Sequence, residues 1–161
     1  MDKRLVDALN DQFCEELSSG YIYLGIATDM QILNWHGVAT WFRTQAHEEA
    51  GHSMKFYRYL MERGEKAVLS TIEAPAKEYK TILEAYEASW DHEQSVTKRI
   101  HDLVRLAREV DDIPTESFLQ WFVTEQVEEE AKPAAIVQQL RLIGDAPQIL
   151  FMMDRELGGR Q

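Results

Sequence analysis

The segment GEKAVLSTIEAPAK, residues 64–77, carries no clear helical pattern, yet apolar residues recur at three- and four-residue spacing on both sides of it. Before it lie two such stretches. One runs from about Asp2 to Asn34 and sets Leu5, Leu9, Phe13, Leu17, Leu24 and Ala27 on roughly one side. The next, from about Gly37 to Arg63, aligns Val38, Phe42, Gln45, Glu49, His52, Phe56 and Tyr59. After the segment, a third stretch from about Glu78 to Val110 aligns Ile82, Tyr86, Trp90, Glu93, Ile100, Val104 and Ala107. The fourth opens after Asp112-Ile113-Pro114, with Thr115 as the expected N-cap. It carries Phe118, Phe122, Glu129, Ile136, Leu140 and Ile143 and closes at Gly144. A short apolar tail, PQILFMMDREL from Pro147 to Leu157, is expected to form a fifth, small helix.

The connections decide the topology. Links of a few residues make the first two stretches antiparallel neighbours, and the last two likewise. A helix of about 28 residues is roughly 42 Å long. Residues 64–77, extended at about 3.3 Å per residue, reach roughly 45 Å. That segment can therefore run the whole length of a bundle and serve as a crossover. The expected fold is all-α, a four-helix bundle with one long crossover loop and a short C-terminal helix, in a single domain over residues 1–161. With 161 residues, 45% hydrophobic, the chain is long enough for a real core, and 8 Gly with 4 Pro leave few turn signals.

A net charge of −11 argues against a nucleic-acid partner. No run of about 18 apolar residues occurs, so no membrane partner is expected. The N-terminal MDKRLVDALNDQF lacks the apolar core of a signal peptide, and the lone Cys14 suits a reducing cytoplasm.

Polar residues then appear where leucines belong. HEEAGH, residues 47–52, sits in the middle of the second stretch, and its Glu49 and His52 are at i and i+3, on one face. Glu16 and Tyr23 are two turns apart on the first helix. Glu93 lies on the third, with His92 pointing about 100° away. Gln126 with Glu129, and Glu125 with Glu128, are i, i+3 pairs on the fourth. Any one of these taken alone is best read as a surface or salt-bridged residue. All four helices placing an acceptor at similar depth is a different matter, because the positions converge on one axis. Carboxylates crowded there without a cation would repel one another. Hard oxygen ligands with one imidazole suit Fe(II), Mn(II) or Zn(II).

The motifs LNDQFCEELSSGYIYL, FRTQAHEEAGHSMKFYRYL, AYEASWDHEQSVTKRI, FLQWFVTEQVEEEA and PQILFMMDREL, in this order and spacing, resemble the non-haem ferritins of bacteria and archaea. The resemblance covers nearly the whole chain. It implies a ferritin-like bundle with a ferroxidase centre: Glu16, Glu49 and His52 around one iron, and Glu49 bridging to a second iron held by Glu93 with Gln126 close by. Tyr23 matches the family's tyrosine at this centre, placed to donate a hydrogen bond or an electron. Glu129 matches a nearby carboxylate, and Glu48, Glu125 and Glu128 match the residues that with Glu129 hold a third iron. Fe(II) with dioxygen or hydrogen peroxide would be the substrates, and a homo-oligomeric shell of 24 subunits the container.

Departures from the relatives narrow the expectation. Bacterioferritins repeat Glu-x-x-His on the last bundle helix, where this chain has Gln126-Val127-Glu128-Glu129, and place a haem-ligating methionine where it has Ala50. No haem is expected, and Met54 reads as a core residue. One cysteine excludes the CxxC iron module of rubrerythrins. Glu116 falls where such shells line an entry channel, whereas Leu119 departs from the acidic residue that animal ferritins have there. Pro133 is expected to kink the fourth helix, and Gly51 to admit a close neighbour. The tail helix is too apolar to stay exposed, and a lone bundle has no further core for it. The competing reading is a di-iron carboxylate oxidase or peroxidase without mineral storage.

Overall fold

Local signals set where each helix starts. In the computed structural model, which describes residues 1–75 and 77–159, α1 spans Lys3–Ile32, α2 His36–Glu62, α3 Ile82–Glu109, α4 Ile113–Ile143 and α5 Pro147–Leu157. Residue 76 of the expected crossover, and residues 160 and 161, lie outside the described residues. α3 begins later than its apolar spacing suggests, because Thr81 caps it. The Thr81 hydroxyl accepts from the N–H of Glu84 at 3.1 Å, and Glu84 reaches back to the N–H of Lys80. α4 begins earlier than expected. Its cap is Asp112, whose carboxylate accepts from the N–H of Thr115 at 3.1 Å, and Pro114 sits in the first turn, where a missing N–H removes no helical bond. Thr115 is buried instead, with its hydroxyl 2.8 Å from that of Tyr59.

Tight reversals fold each pair of helices together. Asn34 and Asp111, at the ends of α1 and α3, take left-handed φ values of 66° and 55°. Asn and Asp tolerate this conformation better than other side-chain-bearing residues. α1 then packs along α2, and α3 along α4. The long connection follows α1 as a crossover must. The N–H of Val68 donates to Asn10 at 2.6 Å, Pro75 lies against Gly25, and the N–H of Tyr79 donates to Asp29 at 2.9 Å. From Asn10 to Asp29 is about 28 Å of helix. No helix among the described residues is long and apolar enough to cross a membrane.

Two apolar clusters fill the bundle. One, towards α5, includes Tyr23, Met30, Phe42, Tyr86 and Val137. The other includes Leu5, Leu9, Phe56, Leu60, Ile100, Leu119 and Phe122. Leu119 is fully buried here, so it lines no surface. Leu24, expected on the inner face of α1, is 48% exposed. Helix α4 continues through the buried Pro133. A side chain added to Gly51 would meet nothing within 4 Å in this chain, so the close approach expected there is found elsewhere. At Gly20 an added Cβ would sit 3.1 Å from the carbonyl of Ala46, which brings α1 and α2 together beside the polar layer.

The tail helix has a seat on the bundle after all. Met153 and Asp154 are buried, Leu150 and Leu157 pack on the nearer apolar cluster, and the Asp154 carboxylate accepts from the N–H of Val38 at 2.9 Å. Asp154 thus caps α2, whose own N-cap residue, Trp35, supplies no side-chain bond. Ile149, Phe151 and Met152 face outward on the other side.

Candidate metal centre

Between the two apolar clusters lies a layer of buried polar side chains, supplied by all four long helices. Glu16 and Tyr23 come from α1, Glu49 and His52 from α2, Glu93 from α3, and Gln126 and Glu129 from α4. Each is between 0% and 7% exposed. The i, i+3 spacing turns Glu49 and His52 to one side, with His52 Nδ1 3.2 Å from Glu49 Oε2 and 3.9 Å from Glu16 Oε2. Two triads of ligand atoms result. Glu16, Glu49 and His52 each offer one atom within 4.8 Å of the others, and so do Glu49, Glu93 and Glu129. Glu49 belongs to both.

Amides hold this layer in place. Gln12 Nε2 donates to Glu16 Oε1 at 2.8 Å, and Gln45 Nε2 donates to Glu49 Oε1 at 2.8 Å. Both pairs are i, i+4 on their helices, which puts the amide one turn before the carboxylate on the same face. Gln45 also donates to Glu129 Oε2, and Arg99 Nε donates to Gln12 Oε1 at 3.1 Å. Gln126 Nε2 donates to Glu93 Oε2 at 3.2 Å and to the Thr97 hydroxyl at 3.3 Å. The Tyr23 hydroxyl donates to Glu93 Oε1. Gln126 and Tyr23 therefore meet the second triad through Glu93.

Burial and mutual repulsion govern the charges. Burial, followed by the charge of Glu49, pushes the carboxyl of Glu16 well above the ordinary range. The same two causes, in the same order, push Glu93 up to about 8. For Glu49 burial works in the same direction, but the bond and charge of His52, with the Gln45 amide, outweigh it and hold this carboxyl low. His52 is raised in turn, because Glu49 overcomes the effect of burial on the imidazole. Tyr23 is raised well above its ordinary value by burial and by the charge of Glu93. Without a cation, then, Glu49 pairs with His52 and Glu129 with Lys132, while burial and the charge of Glu49 drive Glu16 and Glu93 towards their protonated forms. A divalent cation entering either triad displaces protons and takes over the pairing. The arrangement can hold two such ions sharing Glu49, one among two carboxylates and an imidazole and the other among three carboxylates.

Other residues read from the sequence fall outside the triads. Glu48 and Glu125 are half-buried and Glu128 is exposed, and none of them joins a triad among the described residues. His92 bonds the Ser19 hydroxyl at 2.8 Å and meets the Tyr23 ring edge-on. Glu116 pairs with Arg108 at 2.6 Å. Glu129, expected as a carboxylate near the centre and as a ligand of a third iron, is a full member of the second triad. Two supporting residues went unread. Gln12 was detectable as an amide one turn before Glu16. Lys132, bonded to Glu129 at 2.8 Å, looked like any surface lysine.

A family model described as the ferritin-like domain matches residues 6–143. The chain belongs to the ferritin-like family. It is 38% identical over 160 residues to the bacterial non-heme ferritin of Staphylococcus aureus strain MRSA252, which spans 99% of this chain and 96% of that protein. Identity to the bacterial non-heme ferritin of Staphylococcus epidermidis is 39% over the same length. Among solved structures, a ferritin described as open-pore, from the hyperthermophilic archaeon Archaeoglobus fulgidus, is 42% identical with a TM-score of 0.98, covering 100% of this chain and 98% of that one. The likeness to that archaeal structure extends over all five helices.

Proposed function

We propose that this ferritin-family chain stores iron. It takes up Fe(II) at the two triads, oxidises it with dioxygen, and passes ferric iron to a mineral inside a homo-oligomeric shell of 24 subunits in the cytoplasm. The observation that carries this reading is the sharing of Glu49 between two buried triads. One carboxylate common to both ions holds them close enough to act on a single oxidant. Two Fe(II) each give up one electron, and dioxygen with two protons becomes hydrogen peroxide. The protein's part is placement and charge. Tyr23 positions Glu93 through its hydroxyl bond. Gln126 steadies the same carboxylate as a neutral amide and so adds no charge to hold the oxidised product.

The outward face of α5, with Ile149, Phe151 and Met152, supports assembly, since such a face is covered in a stable soluble protein. A third iron position on Glu48, Glu125 and Glu128, completed by Glu129, belongs to the same proposal, and a bound stoichiometry above two per subunit tests it. The whole reading is tested by aerobic loading with many Fe(II) per subunit, followed by size exclusion with protein and iron read together. Soluble ferric iron co-eluting with a particle of hundreds of kilodaltons is the expected result. Oxidation that stops at about two irons per subunit, on a small particle, would favour the oxidase or peroxidase reading.

A further inference from the structure

Glu129 is gripped from two sides. Its Oε2 accepts from the Gln45 amide at 2.5 Å, and its Oε1 accepts from the ammonium of Lys132 at 2.8 Å. The Glu129 side chain is 2% exposed and that of Lys132 is 34% exposed. The lysine therefore reaches inward from the rim of α4, one turn beyond the residue it holds. Glu129 is also one of three carboxylates, with Glu49 and Glu93, that converge on a single point. A cation arriving there meets a carboxylate that is already paired with an ammonium through one oxygen and with an amide through the other. The first triad is different, because the bonded neighbour of Glu16 is the neutral amide of Gln12.

We propose that Lys132 is a positioning residue, a tethered cation that competes with the second metal ion for Glu129 and makes that half-site the weaker and faster-releasing of the two. This rests on the two-metal reading above. In the empty half-site the ammonium pairs with Glu129, which faces Glu49 across the amide of Gln45. Once a divalent ion is present, the same charge opposes it. Partial exposure gives the lysine somewhere to go while the ion is bound. As the ion leaves, the ammonium is at hand to take Glu129 back, which eases departure. Pro133, next along the helix, removes the N–H that would bond the Glu129 carbonyl, so this turn has one restraint fewer. A site that must bind, react and let go is served by such a competitor. A site that keeps its metals would be harmed by it.

The test is anaerobic titration of the assembled, metal-free protein with Co(II), followed by visible absorption and calorimetry, in wild type, Lys132→Met and Lys132→Arg. Methionine keeps much of the length and removes the charge, and arginine keeps the charge. Expected in the Met variant is a second Co(II) equivalent bound roughly tenfold more tightly, with the first equivalent unmoved and slower loss of the second ion to a chelator. The Arg variant should stay close to wild type. A role limited to packing would weaken both equivalents together. That result, or a second equivalent that does not tighten in the Met variant, overturns the proposal. Wild-type protein that takes up fewer than two Co(II) per subunit would instead overturn the two-metal reading itself, and this inference with it.

Discussion

The apolar cluster around Leu9, Phe56 and Ile100 and the polar layer around Glu49 are packed by the same helices, a few turns apart, under opposite rules. In the first, every buried side chain leaves water at no electrostatic cost and stabilises the fold. In the second, buried carboxyls from all four long helices crowd together, and two of them are driven to hold protons. The bundle thus carries a destabilising layer in its middle, held together by flanking cores and by amides. A fold optimised for its own stability would put leucines there, so the layer is best understood as shaped for something that binds in it.

The largest expected effect lies on the apolar side of that comparison. Leu9 is 0% exposed, and Leu9→Ala should cost about 3 kcal/mol by loss of burial and opening of a cavity. Thermal unfolding of the metal-free protein reads this as a drop in Tm. Co(II) uptake per folded subunit should remain at the wild-type value. If uptake fell along with Tm, the two regions would be one cooperative unit and the contrast would be lost.

Glu93→Gln probes the polar side and should move stability the other way. The folded protein raises the Glu93 carboxyl from 4.5 to about 8, so the native state holds that proton more tightly than the unfolded chain does. The resulting stabilisation is fully present below the unfolded value and disappears as pH rises towards the folded one. The metal-free wild type should therefore lose Tm between pH 5 and pH 8.5, and Glu93→Gln should lose less over the same range. Fe(II) oxidation should meanwhile slow by about a hundredfold. An unchanged pH slope in the variant would show that Glu93 is not where the layer stores its charge.

The same contrast explains what the sequence made legible. Apolar spacing located the helices, and the length of residues 64–77 identified the crossover, because both depend on geometry along the chain. HEEAGH and the aligned Glu16 and Glu93 were visible as polar residues on apolar faces. Helix starts were less legible. Asp112 and Thr115 are both good caps by residue type, and only the backbone decides between them. Whether Leu24 faces in or out depends on how α1 is rotated against α2, which no periodicity within α1 can tell. Glu129 and Glu128 are neighbours in a run of three glutamates, and apolar spacing already aligns Glu129 with Phe122 and Ile136, but its place in a triad depends on the facing Glu49 and Glu93. Lys132 is legible only once Glu129 has been placed.

The smallest effect sharpens the comparison within the polar layer. Gln12 touches the first triad through Glu16, whereas Gln45 touches Glu49 and Glu129 and so both triads. Gln12→Leu fills the same space without the amide, leaving Glu16 free to turn and cutting its link to Arg99. Supporting residues of this kind are worth about tenfold in metal affinity. Calorimetric titration of the Gln12→Leu protein with Co(II) should show the first equivalent weakened and the second nearly unmoved. Gln45→Leu should weaken both. Each substitution also leaves a buried carboxyl without its amide donor, so each variant should lose some Tm without metal. An amide that served packing alone would lower Tm with both affinities intact.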